Sequence, residues 1–291
     1  MSLVLPMTLL SPAKLNLFLH INGRLPNGYH ELQSLFHFLD YGDTMTFSES
    51  DQHLFTCDNP ELETEDNLII KARNALVEIN SLRDKPQHLQ PIHIHLNKVL
   101  PMGGGVGGGS SNAATTLLAL NEIWQLQLSK PQLEEIGLKL GADVPIFVRG
   151  ESSIAEGVGE HLTPYPVNEA WYVVLTPDAH VNTAMLFNSD SLPRDTAKIP
   201  LSEIDYQAVD PQFKNDFENI VIKGYPTVAK SLNWLLEYGP ARMTGTGACV
   251  FAEFCSQDEA NEIFRRLPVE LAGFVAKGCN ISPTHQTLFG Q

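Results

Sequence analysis

Residues 101–114 read PMGGGVGGGSSNAA, and the rest of the chain is understood from this stretch. Six glycines fill the seven positions from Gly103 to Gly109, interrupted only by Val106. Glycine supplies no packing and costs backbone entropy. A run this dense weakens a fold unless the bare backbone must approach something closely. Ser110, Ser111 and Asn112 follow, and then AATTLLALNEIWQL, good helix formers at apolar spacing. This predicts a helix over 112–126 that begins near Ser110 to Asn112. A helix N-terminus presents unpaired N–H groups and partial positive charge, so a glycine loop feeding one is an anion site, and phosphate is the usual anion.

Three known glycine motifs can be weighed against it. A Walker loop needs Lys and then Ser or Thr after its last glycine. Here Gly109 is followed directly by Ser110, with no lysine, so that reading fails. The dinucleotide fingerprint matches literally at Gly103, Gly105 and Gly108. A run of six glycines satisfies many patterns, however, and the preceding HIHLNKVLP alternates polar and apolar instead of forming a buried apolar strand. A protein-kinase glycine loop sits in a hairpin with a strand after it, whereas a helix is predicted here.

Composition narrows the class. The chain has 291 residues, enough for one large or two ordinary domains, with 43% hydrophobic and 18% charged residues, as in a globular protein. No stretch approaches the apolar length of a membrane span. The opening MSLVLPMTLLSPAK lacks a basic start and a small-residue cleavage site. No signal peptide is read there, and the second methionine, Met7, leaves the natural start open. The net charge of −15 argues against nucleic acid as the main partner, since a phosphate backbone needs a basic face. A phosphorylated small molecule stays compatible, held by a local nest of N–H groups and one or two lysines. Cys57, Cys249, Cys255 and Cys279 form no CxxC pair and no zinc spacing, and are read as reduced cysteines of a cytoplasmic protein.

Along the chain, LLSPAKLNLFLHI (9–21) reads as a strand. From Ala13 on, Ala13, Leu15, Leu17 and Leu19 share one face, with Lys14, Asn16, Phe18 and His20 on the other. Lys14 and Asn16 therefore project side by side. GRLPNGYH (23–30) is a turn carrying Tyr29 and His30, an aromatic face beside an imidazole, a pair suited to a planar base. A helix is predicted over 65–80, capped by Asp66 or Asn67, with a stripe of Leu68, Ala72, Ala75, Leu76 and Ile79. His93 and His95 lie on one strand face without a third ligand at metal spacing. A second helix over 131–140 has Ser129 as N-cap and ends at Gly141, and PIFV after Asp143 reads as strand-like. Residues 153–166 read as a hairpin, and WYVVLTP as a buried strand. Two helical pieces break near Gly224 and Pro226. VFAEF follows a turn at Gly245 and Gly247, a helix spans 258–267, and GFVAKGCNISP is a last strand and turn.

Pro-x-x-x-glycine-run-Ser-Ser-x-Ala-Ala resembles the phosphate loop of the GHMP kinases, the galactose, homoserine, mevalonate and phosphomevalonate kinases. SPAKLNLFL (11–19), NGYHEL (27–32), LGADVPIF (140–147) and MTGTGACVF (243–251) complete the family's order, so the resemblance spans nearly the whole chain. The one departure noted is Val106, where relatives often carry Leu. The long glycine form resembles one branch, which phosphorylates an alcohol carried on cytidine diphosphate in non-mevalonate isoprenoid precursor synthesis. The resemblance implies an α+β fold of two domains, each a mostly antiparallel sheet with packed helices. Residues 1–160 would bind ATP, 161–291 would form the C-terminal domain, and the last strand could return to the first.

It also implies roles for particular residues. Asn67, Leu68, Lys98 and the loop from Pro101 and Met102 through Gly103, Gly104, Gly105, Val106, Gly107, Gly108, Gly109, Ser110 and Ser111 would hold ATP. Asp143 is the expected catalytic aspartate, with Lys14 steadying the migrating phosphoryl group. Asn16, Tyr29, His30, Phe187, Thr244 and Gly245 would contact the substrate, with Tyr29, His30 and Phe187 reading the cytosine. Mg²⁺ is expected with ATP, and Ser110 or Ser111 could hold it. Neither nucleic acid nor membrane is an expected partner. Residue by residue the blander readings stand beside these: Lys14 on a solvated strand face, Lys98 as a surface lysine, Asp143 as a cap, Phe187 as core. Another small-molecule kinase of the superfamily would keep the loop and Asp143 but have no use for the base-reading trio, and a nucleotide binder without turnover is opposed by the intact Lys14 and Asp143.

Overall fold

The computed structural model describes residues 4–290, so the reading of the extreme start at Met1–Leu3 lies outside the described residues. Two long antiparallel strands, β1 (Met7–Arg24) and β2 (His30–Glu49), form the spine and turn through Gly28 at φ 89°. There follow β3 (Leu54–Cys57), α1 (Leu68–Ser81), β4 (Ile92–Asn97), α2 (Gly108–Ile123), α3 (Lys130–Leu140), α4 (Val144–Arg149) and the hairpin β5 (Ser153–Gly157) and β6 (His161–Pro164). The second half contains β7 (Trp171–Leu175), α5 (Thr183–Phe187), α6 (Glu218–Gly224), α7 (Pro226–Leu236), β8 (Ala241–Met243), β9 (Val250–Phe254), α8 (Gln257–Arg265), β10 (Gly273–Cys279) and α9 (Pro283–Phe289).

The strands run β3-β4-β2-β10-β7-β9-β8, with β1 and the β5–β6 hairpin attached through β2. β3–β4 is the parallel pair and the others are antiparallel, so the α+β expectation holds. β10 joins the halves, pairing with β7 over Gly273–Lys277 and with β2 at Gly278 and Cys279. One apolar core packs α1, α2 and α4 on the first half of the sheet, a second lies around β1, β7 and β10, and a third packs α6 and α7 against β7–β9.

Several local readings change. The alternation along β1 survives only to Leu17. A bulge between Asn16 and Phe18 shifts the register, so Phe18 joins the core of Ala13, Leu15 and Leu17, while Leu19 and Ile21 enter another. One extra residue in a strand reverses every face after it. PIFV is part of helix α4, because a short apolar run between glycines carries too little periodicity to separate strand from helix. α2 begins at Gly108 and ends at Ile123, earlier at both ends than expected. Gly107 at φ 76° supplies the left-handed turn into it, and the positive φ of Gln125 and Gln127 keeps the chain from continuing the helix. The terminal helix α9 was not read at all. Asn67 caps α1 by accepting from Ile69 N, and Gln132 of the Ser129 capping box accepts from Ser129 N at 2.8 Å.

Candidate active site

The glycine run approaches protein first. A Cβ on Gly105, whose φ is 76°, would lie 2.3 Å from the Thr244 carbonyl oxygen, and one on Gly245 would lie 3.0 Å from Gly105 O. The two glycine turns, 103–107 and 244–247, therefore meet backbone to backbone. Gly104 is closed in by Cys249 Sγ and Pro101, and Cys249 N donates to Gly104 O at 3.0 Å. Burial pushes that thiol up to about 12, so Cys249 is an inert packing residue. Gly107 lies against Phe147 and the Lys14 stem. Beyond Gly107 the N–H groups of Gly108, Gly109 and Ser110 have no acceptor among the described residues. Ser111 N donates to Gly107 O at 2.8 Å. A fan of free donors thus opens at the helix start, suited to an anion.

Lys14 is buried at 1% exposure, which overturns the solvated-face alternative. Its Nζ donates to Asn16 Oδ1 at 2.5 Å and to Gly105 O at 3.0 Å, and pairs with Asp143 Oδ2 at 3.3 Å, over the Phe36 ring. A buried ammonium needs such a full set of partners. Its backbone N–H donates to Val106 O, tying β1 to the loop. Asn16 is fixed in turn, with its Nδ2 donating to Ser34 Oγ at 2.7 Å and its backbone N–H to Thr244 Oγ1 at 2.8 Å. Asp143 occupies the N-cap position of α4 but makes no capping hydrogen bond, so its carboxylate stays on the Lys14 side.

Two cavities meet here. The first, about 490 Å³, is lined by Asn67, Leu68, Lys98, Pro101, Met102 and the glycine loop. The second, about 1000 Å³, is lined by Lys14, Asn16, Tyr29, His30, Phe187 and Gly245. Gly105, Ser110 and Asp143 line both. Three candidates lie outside the two linings. Val106 is core at 0% exposure. The Ser111 hydroxyl accepts from Ser11 Oγ at 2.9 Å in the interior. Thr244, also at 0%, braces Asn16. Lys98 lines the first cavity with its Nζ held by Asp43 Oδ2 at 2.9 Å and by Leu100 O, and is no ordinary surface lysine.

In the second cavity His30 and Phe187 pack with ring centroids 5.0 Å apart, and Phe187 meets Phe217 edge-on at 4.9 Å. Tyr29 is 64% exposed at the rim. Burial first, and then the charges of Arg194 and Arg24, lower the His30 pKa, so the ring is neutral near pH 7.

Sequence reading missed four contributors. Ser34 and Thr246 line the second cavity, and Thr246 stands between the glycines of a quoted motif. Asp43, at 0% exposure, accepts from Lys98 Nζ, Val99 N, Leu100 N and Asn112 Nδ2, pinning the loop entry to α2. Asn215 Nδ2 donates to Met243 O and Gly245 O, shaping the second glycine turn. Nothing local marked Asp43 or Asn215.

Comparison with known proteins fits this geometry. Residues 67–151 match the N-terminal domain model of the GHMP kinases, and residues 202–271 match the C-terminal one. The 4-diphosphocytidyl-2-C-methyl-D-erythritol kinase of Haemophilus influenzae is 52% identical over 97% of this chain and 88% of its own. The enzyme of that name from Shewanella loihica is 51% identical over 94% of both. A crystal structure of 4-(cytidine 5'-diphospho)-2C-methyl-D-erythritol kinase superposes with TM-score 0.80 at 26% identity, covering 94% of this chain and 99% of that one. Homoserine kinase from Cytophaga hutchinsonii shares the fold, with TM-score 0.62 at 15% identity over 97% of each chain. The chain belongs to the GHMP kinases, and within them to the family of the 4-diphosphocytidyl-2-C-methyl-D-erythritol kinases. It is accordingly a small-molecule kinase.

Proposed function

We propose that the chain transfers the γ-phosphoryl group of ATP to the 2-hydroxyl of 4-diphosphocytidyl-2-C-methyl-D-erythritol, an early step of isoprenoid precursor synthesis, in the cytoplasm. The observation that carries this is the junction: a nucleotide-sized cavity over free helix N–H groups and a larger one with a base-reading rim adjoin at Asp143. ATP takes the first, its phosphates on the N–H groups of Gly108, Gly109 and Ser110 and its adenine toward Asn67 and Leu68. The substrate takes the second, with cytosine among Tyr29, His30 and Phe187. In domain terms, 1–160 supplies the nucleotide side and 161–291 supplies Phe187 and the second glycine turn.

In the reaction the substrate oxygen forms a bond to the γ-phosphorus, the bond from that phosphorus to the β–γ bridging oxygen breaks, and ADP leaves. Asp143 orients the hydroxyl and accepts its proton. Lys14, fixed between Asn16, Gly105 O and Asp143, offsets negative charge on the passing phosphoryl group. The transition state of phosphoryl transfer is loose, so placement and charge neutralisation supply most of the rate.

The residues present also fit Mg²⁺. It keeps most of its waters, binds phosphate oxygens and needs few protein ligands. Ser110, whose side chain lines both cavities, would hold it, whereas the Ser111 hydroxyl is committed to Ser11. When bound, Mg²⁺ neutralises the β- and γ-phosphate oxygens.

The test is ADP release with the cytidyl substrate beside mevalonate, homoserine and galactose. Turnover with the first alone supports the assignment. Turnover with another alcohol keeps the kinase and overturns the reading of Tyr29, His30 and Phe187.

A further inference from the structure

His30 opens β2 with 7% exposure, and Arg194 Nε lies 3.1 Å from its Nε2. A guanidinium nitrogen only donates, so Nε2 must accept. A neutral imidazole has one N–H, so that proton sits on Nδ1. The charges facing the ring, Arg194 and its cross-strand neighbour Arg24, both oppose a second proton. Nδ1 has no protein partner among the described residues, and His30 lines the larger cavity. The ring therefore offers that cavity a donor and no acceptor.

Arg194 is itself held rigidly. Its Nη2 donates to Phe187 O at 3.0 Å and Ser189 O at 2.8 Å, and its Nη1 to Leu192 O at 3.2 Å. The same guanidinium thus fixes the end of α5, whose Phe187 ring packs on His30. One cation sets the position of both rings and the tautomer of one of them.

A fixed donor distinguishes the two pyrimidines that share a ring shape. Cytosine presents acceptors at N3 and O2. Uracil carries a hydrogen on N3, so a donor there meets a donor. We propose that Arg194 is a positioning residue that locks His30 as the Nδ1–H tautomer, and that this lock makes the site accept a cytidine diphosphate substrate and reject its uridine counterpart. The proposal rests on the reading that His30 faces the base.

The test compares kcat/KM for the cytidine substrate and for the same compound bearing uracil, in wild type, Arg194→Met, Arg194→Lys and His30→Ala. Arg194→Met is expected to reduce the cytidine-over-uridine preference by on the order of tenfold to a hundredfold, the loss appearing in KM for the cytidine compound. Arg194→Lys keeps a donor at Nε2 and restores part of the preference. An equal loss for both compounds in Arg194→Met assigns Arg194 a purely structural role and overturns the proposal. An unchanged KM for the cytidine compound in His30→Ala would instead remove the base reading beneath it. A measurement on wild type needs no variant to fold: ¹⁵N shifts of labelled histidine should show His30 protonated on Nδ1 and bare on Nε2. A proton on Nε2 overturns the proposal.

Discussion

Lys14 Nζ lies 3.3 Å from Asp143 Oδ2, and the two side chains reach that contact from unequal surroundings, the lysine 2% exposed and the carboxylate 38% exposed. The lysine is the fixed member, tied also to Asn16 and Gly105 O, and the carboxylate is the member a substrate can reach. Asp143→Asn keeps the shape and removes the proton acceptor. It should lower kcat by about 10²–10⁴-fold while leaving the KM for ATP near wild type. Adding Lys14→Met should cost much less than the product of the single effects, since groups acting as one unit are not additive. Steady-state ADP release measures both, and a kcat that survives Asp143→Asn would remove the aspartate from the chemistry.

The glycine run divides into positions held bare by protein and positions held bare for a ligand. Gly105→Ala places a Cβ 2.3 Å from Thr244 O at φ 76° and should cost about 1–3 kcal/mol of stability or more. Gly109→Ala meets nothing nearer than Leu68 Cδ1 at 3.8 Å, in a helix where alanine is favoured over glycine. It should fold as well as wild type yet bind ATP more weakly, since its side chain stands in the first cavity. Thermal melts with and without ATP separate the two. Equal melting losses would mean the run is tuned for packing alone.

Much of this was legible because the informative patterns are local. The i, i+2 spacing put Lys14 beside Asn16, and the structure joins them at 2.5 Å. Helices α1, α3, α6 and α7 carry caps or breaks written in their own residues, such as Asn67, Ser129 and Pro226. What was hidden is pairwise and distant. Asp43 meets Lys98 across 55 positions, and Arg194 meets His30 across 164. A lone acidic residue inside a strand, or an arginine in a polar loop, carries no local mark of its partner. The bulge at Asn16–Phe18 is hidden for a related reason, since register is set by the strand opposite.

Asp43 and Lys98 form a buried pair with side chains 0% and 10% exposed. Removing one partner of a buried pair strands the other charge, so Asp43→Ala should cost about 3–5 kcal/mol. Because Asp43 also accepts from Val99 N, Leu100 N and Asn112 Nδ2, the loop entry loosens and the KM for ATP should rise. Asp43→Asn with Lys98→Met removes both charges and should recover part of the stability without recovering the KM. Urea unfolding and ATP titration report the two effects separately. Additive losses in the double variant would show that the pair is not coupled.

Two buried histidines should set the acid limit of the fold. His37 bonds Ser152 Oγ through Nδ1 at 2.8 Å, and its ring packs on bare Gly278, where a Cβ would lie 2.3 Å from Nε2. Burial lowers its pKa from 6.5 to about 4. His285 meets Val148 O at 2.9 Å and is lowered to about 4, chiefly by burial, with the Lys130 charge acting the same way. Both folded values lie below the unfolded one, so the stability these neutral rings contribute is fully present above pH 6.5 and is lost as pH falls from there through about 4. Within that window each histidine adds a slope of about 1.4 kcal/mol per pH unit, because the unfolded chain binds a proton that the folded chain refuses. Urea unfolding from pH 7.5 downward should show the fall, and His37→Gln should flatten it by one histidine's share. An unchanged slope in that variant would mean that the folded protein protonates His37 as readily as the unfolded chain does, which a ring at 1% exposure with no charged partner gives no reason to expect.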